Sequence, residues 1–340
     1  MSLLRFLFLS ITTALLVIVV SCSQPNTSNN PTQTPATNTS TASTTSQNQG
    51  NKDQININTA ILSELDKFEA ALGIPALSNK IQANRPYASP EELVSKNVIS
   101  QEQFDKIKDQ VTIQDVELTG VAKDVDYMSK LGLMKGHLIV AKELLDQQQP
   151  KQAEPHIGHP VEEIYVDVEE QLNERNVKEF KTTLISLQDL VKSQPKAANV
   201  NTDFKTSMNA VDGAIATLPQ TQRNSPEFVL QVINELLDAS NSEYGAAISK
   251  GKITAAIEYQ DSRGFVDYAN QLFQGISSQM AKAYPEEHKA IETSMAELSK
   301  AWPTAIPPAS PVKTPAQVSG LVKTIEQNSQ KVVNRSNTPA

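Results

Sequence analysis

Hydrophobic positions recur at helical spacing over most of this chain, and strand-type alternation is scarce. In the first periodic stretch, Leu62, Leu65, Phe68 and Leu72 share one helical face, with Asn58 or Thr59 as the cap. Gly73-Ile74-Pro75 interrupts the pattern. A second helix is expected from Leu77 to Asn84, followed by an extended Arg85-Pro86-Tyr87. Ser89-Pro90-Glu91-Glu92 opens a third helix, and Ser100 caps a fourth that carries Phe104, Ile107 and Val111. Beyond Asp115, helices are predicted near 121–148, 160–174, 177–193, 203–217, 226–249, 252–282 and 285–300. Pro150, Pro155, Pro195, Pro219, Pro226 and Pro285 punctuate them. A stretch rich in Pro, Ala, Ser and Thr over 303–316 precedes a last amphipathic segment, Val318 to Val333. The expected fold class is all-α, a small module of paired helical hairpins followed by a larger helical bundle.

Two N-terminal segments stand outside this pattern. Arg5 precedes an apolar run from Phe6 to Val20 that ends in Val19-Val20-Ser21-Cys22. A small residue before a cysteine suits a signal peptidase pocket, and the thiol that follows is placed to receive diacylglycerol. Cys22 is therefore the expected lipidation site, with residues 1–21 as signal peptide and the membrane as a partner through the lipid anchor. An uncleaved membrane anchor is the alternative. The expected location is the cell envelope, facing the periplasm or exterior, and Ser23 in place of Asp after the cysteine favours the outer membrane. Residues 23–52 are almost wholly Ser, Thr, Asn, Gln and Pro, too polar to offset the entropy of ordering. They read as a leash with a reach of roughly 30 Å. The organisation that follows is a signal peptide over 1–21, lipidated cysteine and linker over 22–52, a small module over 53–114, a bundle over 115–302, and a linker, short helix and polar tail over 303–340.

Composition narrows the function. Aromatic residues are 5% of the chain and it holds 19 prolines, which argues against a large β architecture. The net charge is −8. Residues 51–114 carry seven Lys/Arg against nine Asp/Glu, and residues 115–340 carry 22 against 29, so neither part has the basic surface that drives nonspecific DNA affinity. Cys22 is the only cysteine, which excludes an internal disulfide.

The phrases "INTA…L", "LGIPALSNKI", "RPYASPEELV" and "ISQEQFDKIKDQV" resemble the tandem helix-hairpin-helix domain of the competence DNA receptor family (ComEA) over about residues 54–114. More loosely they resemble the photosystem II extrinsic protein PsbU, which shares that fold. The resemblance implies a DNA or protein partner, with Gly73, Lys80, Arg85, Lys106 and Lys108 as candidate contacts. An extrinsic photosystem role is a further reading that rests on fold likeness. In DNA-binding members each hairpin reads Gly-hydrophobic-Gly, so that backbone N–H groups approach a phosphate. Here the first hairpin is Gly73-Ile74-Pro75, whose proline has no N–H, and the second is Val98-Ile99-Ser100, with neither glycine.

Three of the four histidines cluster in sequence, as Gly136-His137 and His156-Ile157-Gly158-His159-Pro160-Val161-Glu162-Glu163. Pro160 suits a helix start, which would set Glu162 and Glu163 one turn beyond His159, with His156 folding back from the preceding loop. His137, His156, His159, Glu162 and Glu163 are thus candidate ligands for a transition metal such as zinc, iron or copper. The alternative is that these histidines cap helices and bond backbone carbonyls. Glu258-Tyr259-Gln260-Asp261-Ser262-Arg263-Gly264-Phe265, together with Glu243-Tyr244 and Gly251-Lys252-Ile253, resembles helical segments attached to bacterial iron permeases. Read without that likeness, Asp261 and Arg263 form an ion pair on a solvated face. No nucleophile elbow, zinc-protease motif or phosphate-binding loop is present, and Gly136, Gly158 and Gly264 stand isolated. The expectation is a non-enzymatic protein.

Overall fold

Four short helices build the N-terminal module: α1 (Leu62–Leu72), α2 (Leu77–Ala83), α3 (Glu92–Ser95) and α4 (Gln101–Ile107). The computed structural model describes residues 54–60, 62–114 and 118–336, so the expected leader, Cys22 and the polar leash lie outside the described residues. Helix α1 stops where Gly73 adopts a positive φ of 64°, a conformation that lets the chain reverse into the first hairpin. Ser100 opens α4 through a reciprocal capping box with Gln103. A parallel bridge between β1 (Ile55–Asn56) and β2 (Val111–Thr112) brings the two ends of the module together. Its core is Ile57, Leu65, Phe68, Leu77, Ile81, Leu93 and Ile107, the apolar face that the periodicity marks.

The second core belongs to the longer helices. These begin with α5 (Gly120–Asp146), then α6 (Pro150–Ala153) and α7 (Pro155–His159). A turn of π-helix over Pro160–Ile164 connects α7 to α8 (Tyr165–Glu174). Pro160 therefore does not start a helix as its residue type suggests. It has no N–H to continue the α-helical ladder, and the chain widens by one residue instead of breaking. Next come α9 (Lys181–Ser193), α10 (Val200–Ile215), α11 (Gln220–Arg223) and α12 (Pro226–Ala247). The tight hairpin of β3 (Ile248–Ser249) and β4 (Lys252–Ile253) turns through Lys250 and Gly251, both at positive φ, and explains why the following helix starts at 256 rather than 252. Helices α13 (Ala256–Ala283), α14 (Pro285–Leu298) and α15 (Pro315–Ser336) complete the chain.

Residues 303–316, expected as a linker, follow a fixed path, and the amphipathic segment expected from Val318 to Val333 lies within helix α15. Trp302 and Ala305 are buried, Tyr259 donates to Thr304 O, and Tyr244 donates to Lys313 O. Helix α15 buries Val318, Val322, Ile325 and Val332, and packs against α12 and α14. Proline content made 303–316 look loose, but aromatic hydroxyls bond its carbonyls and fix its path.

The described residues fall in one compact unit, so the module docks on the bundle. Helix α1 lies along α12, where Lys67 pairs with Asp238, and Gly245 leaves room for Ala70. Among the described residues no helix is long and apolar enough to cross a membrane.

Candidate metal centre

Two helices cross almost backbone to backbone at the heart of the bundle. A Cβ built on Gly264 of α13 would lie 2.2 Å from the carbonyl oxygen of Gly136 in α5, so only glycine permits this approach. Gly136 precedes His137, and Gly264 lies one turn after Asp261 on the same face of α13. The crossing therefore carries His137 to Asp261: the imidazole Nδ1 lies 2.6 Å from Asp261 Oδ1. Helix α7 brings His156 to the same oxygen, Nδ1 again at 2.6 Å, and His159 Nδ1 lies 3.6 Å from Oδ2. Glycines that look isolated in sequence are thus what assemble the cluster.

Asp261, His137 and His156 are buried, at 3%, 4% and 0% exposure. A buried carboxylate normally resists ionisation, but His137 and His156 outweigh that burial and hold Asp261 well below the usual carboxylate range. Burial pushes the His137 imidazole down, against the pull of Asp261. For His159 the balance is reversed: burial opposes the charge, yet Asp261, Glu163 and Glu162 raise it to about 9. The 2.6 Å approach of His137 Nδ1 to Asp261 lacks hydrogen-bond direction and leaves a buried nitrogen without a hydrogen-bond partner. His137, His156 and Asp261 each offer one donor atom, all within 4.8 Å of one another, and this group can hold a metal ion. Two imidazoles and a carboxylate, without thiolate, suit a borderline divalent cation.

This cluster lies at one side of a cavity of about 1000 Å³ between module and bundle, lined by His137, His159 and Asp261. Further carboxylates surround it: Asp66 and Glu69 from α1, Glu163 from the π-turn, Glu243 from α12 and Glu258 from α13. Desolvation raises Asp66 to about 7, against a Ser78 hydrogen bond and with the charges of Glu69 and Glu258, and desolvation followed by the Asp66 charge lifts Glu243 well above the ordinary range. Desolvation also raises Glu258.

Of the residues expected from sequence as ligands, His137, His156, His159 and Glu163 reach this region. Glu162 is exposed on the other side of the widened turn and does not line the cavity. Asp261 does not pair with Arg263. Residues two apart on a helix point to different sides, and Arg263 instead holds Glu143 at 2.8 Å and the Trp302 carbonyl at 2.6 Å. Asp66 is a further cavity residue that the sequence reading does not select, and Glu243 and Glu258, which fall in the iron-permease-like phrases, are not among the expected ligands. Their signal is an acid on a helical face that is otherwise buried. The fourth histidine, His288, is elsewhere, bonded to Ser277 and stacked on Phe273.

The expected DNA contacts have mostly internal partners. Lys80 donates to Asn97 O and Val98 O, and Arg85 donates to Ile57 O and Ala60 O. Lys106 pairs with Glu102 at 3.3 Å, and Lys108 is exposed. Gly73 lines the cavity. In the first hairpin the Gly73 and Ile74 N–H groups donate to Glu69 O, and the Ala76 N–H donates to Glu69 Oε1 at 2.7 Å. In the second, Val98 and Ile99 donate to Leu93 O, and Ser100 donates to Gln103.

A mostly helical protein with a docked hairpin module and a buried histidine–carboxylate group is the class these features define. Residues 50–112 match the helix-hairpin-helix motif family, where the competence-receptor resemblance falls. Residues 219–336 match the iron permease-associated 4-helix bundle domain; its four long helices are α12 to α15, and it contains Glu243, Glu258 and Asp261. His137, His156 and His159 lie outside that match. No curated protein and no solved structure matches the chain.

Proposed function

We propose that this chain is a non-enzymatic envelope lipoprotein, anchored through Cys22, that binds a divalent transition-metal cation at His137, His156 and Asp261. The observation that carries the reading is the convergence of two buried imidazole nitrogens on one carboxylate oxygen, each at 2.6 Å, one of them without a hydrogen bond. His159 and Glu163 stand next to this group as additional donors on the cavity side. The iron permease-associated match over 219–336 favours iron as the cation. The ion's role is that of cargo, and the acidic cavity concentrates cations ahead of the site. Titration of purified chain with Fe²⁺, Zn²⁺ and Cu²⁺, followed by metal analysis, tests the reading. The expected result is about one tightly held ion per chain, lost in His137→Ala and in Asp261→Asn. A wild-type chain that retains none of the three would end it.

DNA at the helix-hairpin-helix module is the second reading, favoured by the family match over 50–112. Against it, both hairpins direct their N–H groups inward, and Lys80 and Arg85 are held by carbonyls of the module itself. We expect no gel retardation of duplex DNA at micromolar protein and low salt. Retardation abolished by Lys106→Ala/Lys108→Ala would restore DNA as the partner.

A further inference from the structure

His156 has oxygen neighbours on both ring nitrogens: Asp261 Oδ1 at 2.6 Å from Nδ1, and Gln260 Oε1 at 2.9 Å from Nε2. An amide oxygen only accepts, so the ring proton at that end sits on Nε2 and points at Gln260. The Gln260 amide is itself oriented, because its Nε2 donates to Gln152 Oε1 at 2.8 Å, and Gln152 Nε2 donates to Gln149 Oε1 at 3.2 Å. Rotating the Gln260 amide would set its NH₂ against the His156 N–H and its oxygen against the Gln152 oxygen. The three amides therefore keep one direction or turn over together. Gln260 is 1% exposed, so no solvent replaces what it accepts.

With Nε2 protonated, the His156 Nδ1 lone pair faces a carboxylate oxygen at 2.6 Å. Two lone pairs do not face each other at that distance, so a proton lies between them here; a bound cation would take its place only with the two atoms moved apart and the ion to one side of the line joining them. Resting on the metal-binding reading above, we infer that Gln260, backed by Gln152 and Gln149, is the positioning residue of the centre. It holds the ring proton on Nε2 and so delivers Nδ1 as the ligand atom. When a cation binds, the proton between Nδ1 and Asp261 leaves to solvent, and the one on Nε2 stays. The same relay ties the α5–α7 connection, where Gln149 and Gln152 lie, to α13.

The chain has four histidines, so ¹⁵N-histidine labelling gives four ring systems to assign. Zn²⁺ serves as the diamagnetic probe. In the zinc-loaded chain His156 is expected to carry its proton on Nε2. Gln260→Leu, which removes the acceptor, is expected to weaken Zn²⁺ binding by about 10–100-fold. Gln260→Glu keeps an acceptor oxygen in place and is expected to stay within about threefold of wild type, a rescue that packing alone would not give. His156 protonated on Nδ1 in the zinc-loaded wild type would overturn the inference, as would a folded Gln260→Leu chain that binds Zn²⁺ like wild type. If the leucine chain does not fold, the wild-type ring assignment and the Gln260→Glu affinity decide. A wild-type chain that takes up no metal overturns the metal reading itself, and with it this one.

Discussion

Substituting alanine at Gly264 tests whether the helix crossing builds the centre. The new Cβ would lie 2.2 Å from the Gly136 carbonyl oxygen and 2.8 Å from its carbonyl carbon. Ordinary van der Waals contact begins near 3.4 Å, so α5 and α13 have to part by about 1 Å. The obstacle is backbone and cannot rotate away. Overpacking of this kind costs about 1–3 kcal/mol, and the upper end is expected here. For a unit of this size that loss lowers the melting temperature by roughly 5–10 °C. His137 rides on α5 and Asp261 on α13, so the same displacement pulls the donors apart and should weaken metal binding by more than about tenfold. Gly275 on the same helix is the control: a Cβ there meets nothing within 4 Å, and Gly275→Ala should stabilise by roughly 0.5–1 kcal/mol with metal binding unchanged. Thermal melts with and without Zn²⁺, and competition titrations, read both effects. If Gly264→Ala melts and binds metal as Gly275→Ala does, the close crossing does not set the site.

Asp66 supplies a pH test. Burial first, then the neighbouring Glu69 and Glu258 charges, raises its folded-state pKa from 3.8 to about 7. A raised carboxyl favours the folded unit below pH 4, and that contribution disappears as pH rises through 7, by on the order of 4 kcal/mol in all. Asp66→Asn, in chelator, should therefore flatten the fall in melting temperature between pH 5 and 8; a curve parallel to wild type would contradict this. Ile325 in α15 is 0% exposed, and Ile325→Ala should cost about 2–5 kcal/mol by denaturant unfolding. A loss below about 0.5 kcal/mol would return α15 to the status of an appendage.

Much of the fold is legible in the sequence because local signals carry it. The Ser100 cap, the Gly73 reversal and the Leu65–Phe68–Leu72 stripe each act within a few residues, and the structure has all three. The histidine grouping is legible for the same reason, since His156 and His159 are one turn apart. Asp261 is not, because what brings it to the histidines is a crossing of two helices far apart in sequence, set by Gly136 against Gly264. Periodicity gives the faces of a helix but not which neighbour meets them. Glu162 does not line the cavity for a subtler reason: one residue of π-widening at Pro160 shifts the facing of the side chains after it, and α-helical spacing alone does not foresee it. Residues 303–316 mislead in the opposite sense. Their composition is that of a linker, but Tyr244, Tyr259 and the Glu297–Lys313 ion pair hold them in place.

The module and the bundle are two walls of one acidic cavity. A hairpin of the helix-hairpin-helix type offers inward-curving N–H groups, a geometry suited to an anion. Here the Glu69 carboxylate already occupies that position, bonded to the Ala76 and Ser78 N–H groups and to the Ser78 hydroxyl. Glu69 and Asp66 then face a cavity that Glu163, Glu243, Glu258 and Asp261 also line. Seven acids line this space, Asp238 being paired with Lys67; the balance of charge repels an anion and attracts a cation, and the carboxyls that burial keeps protonated can give up those protons when a cation arrives. Charge around the cavity thus works with the histidine cluster rather than against it. Docking α1 on α12 is what places Asp66 and Glu69 there, so in the proposed function the hairpin module supplies part of the wall that faces the cation.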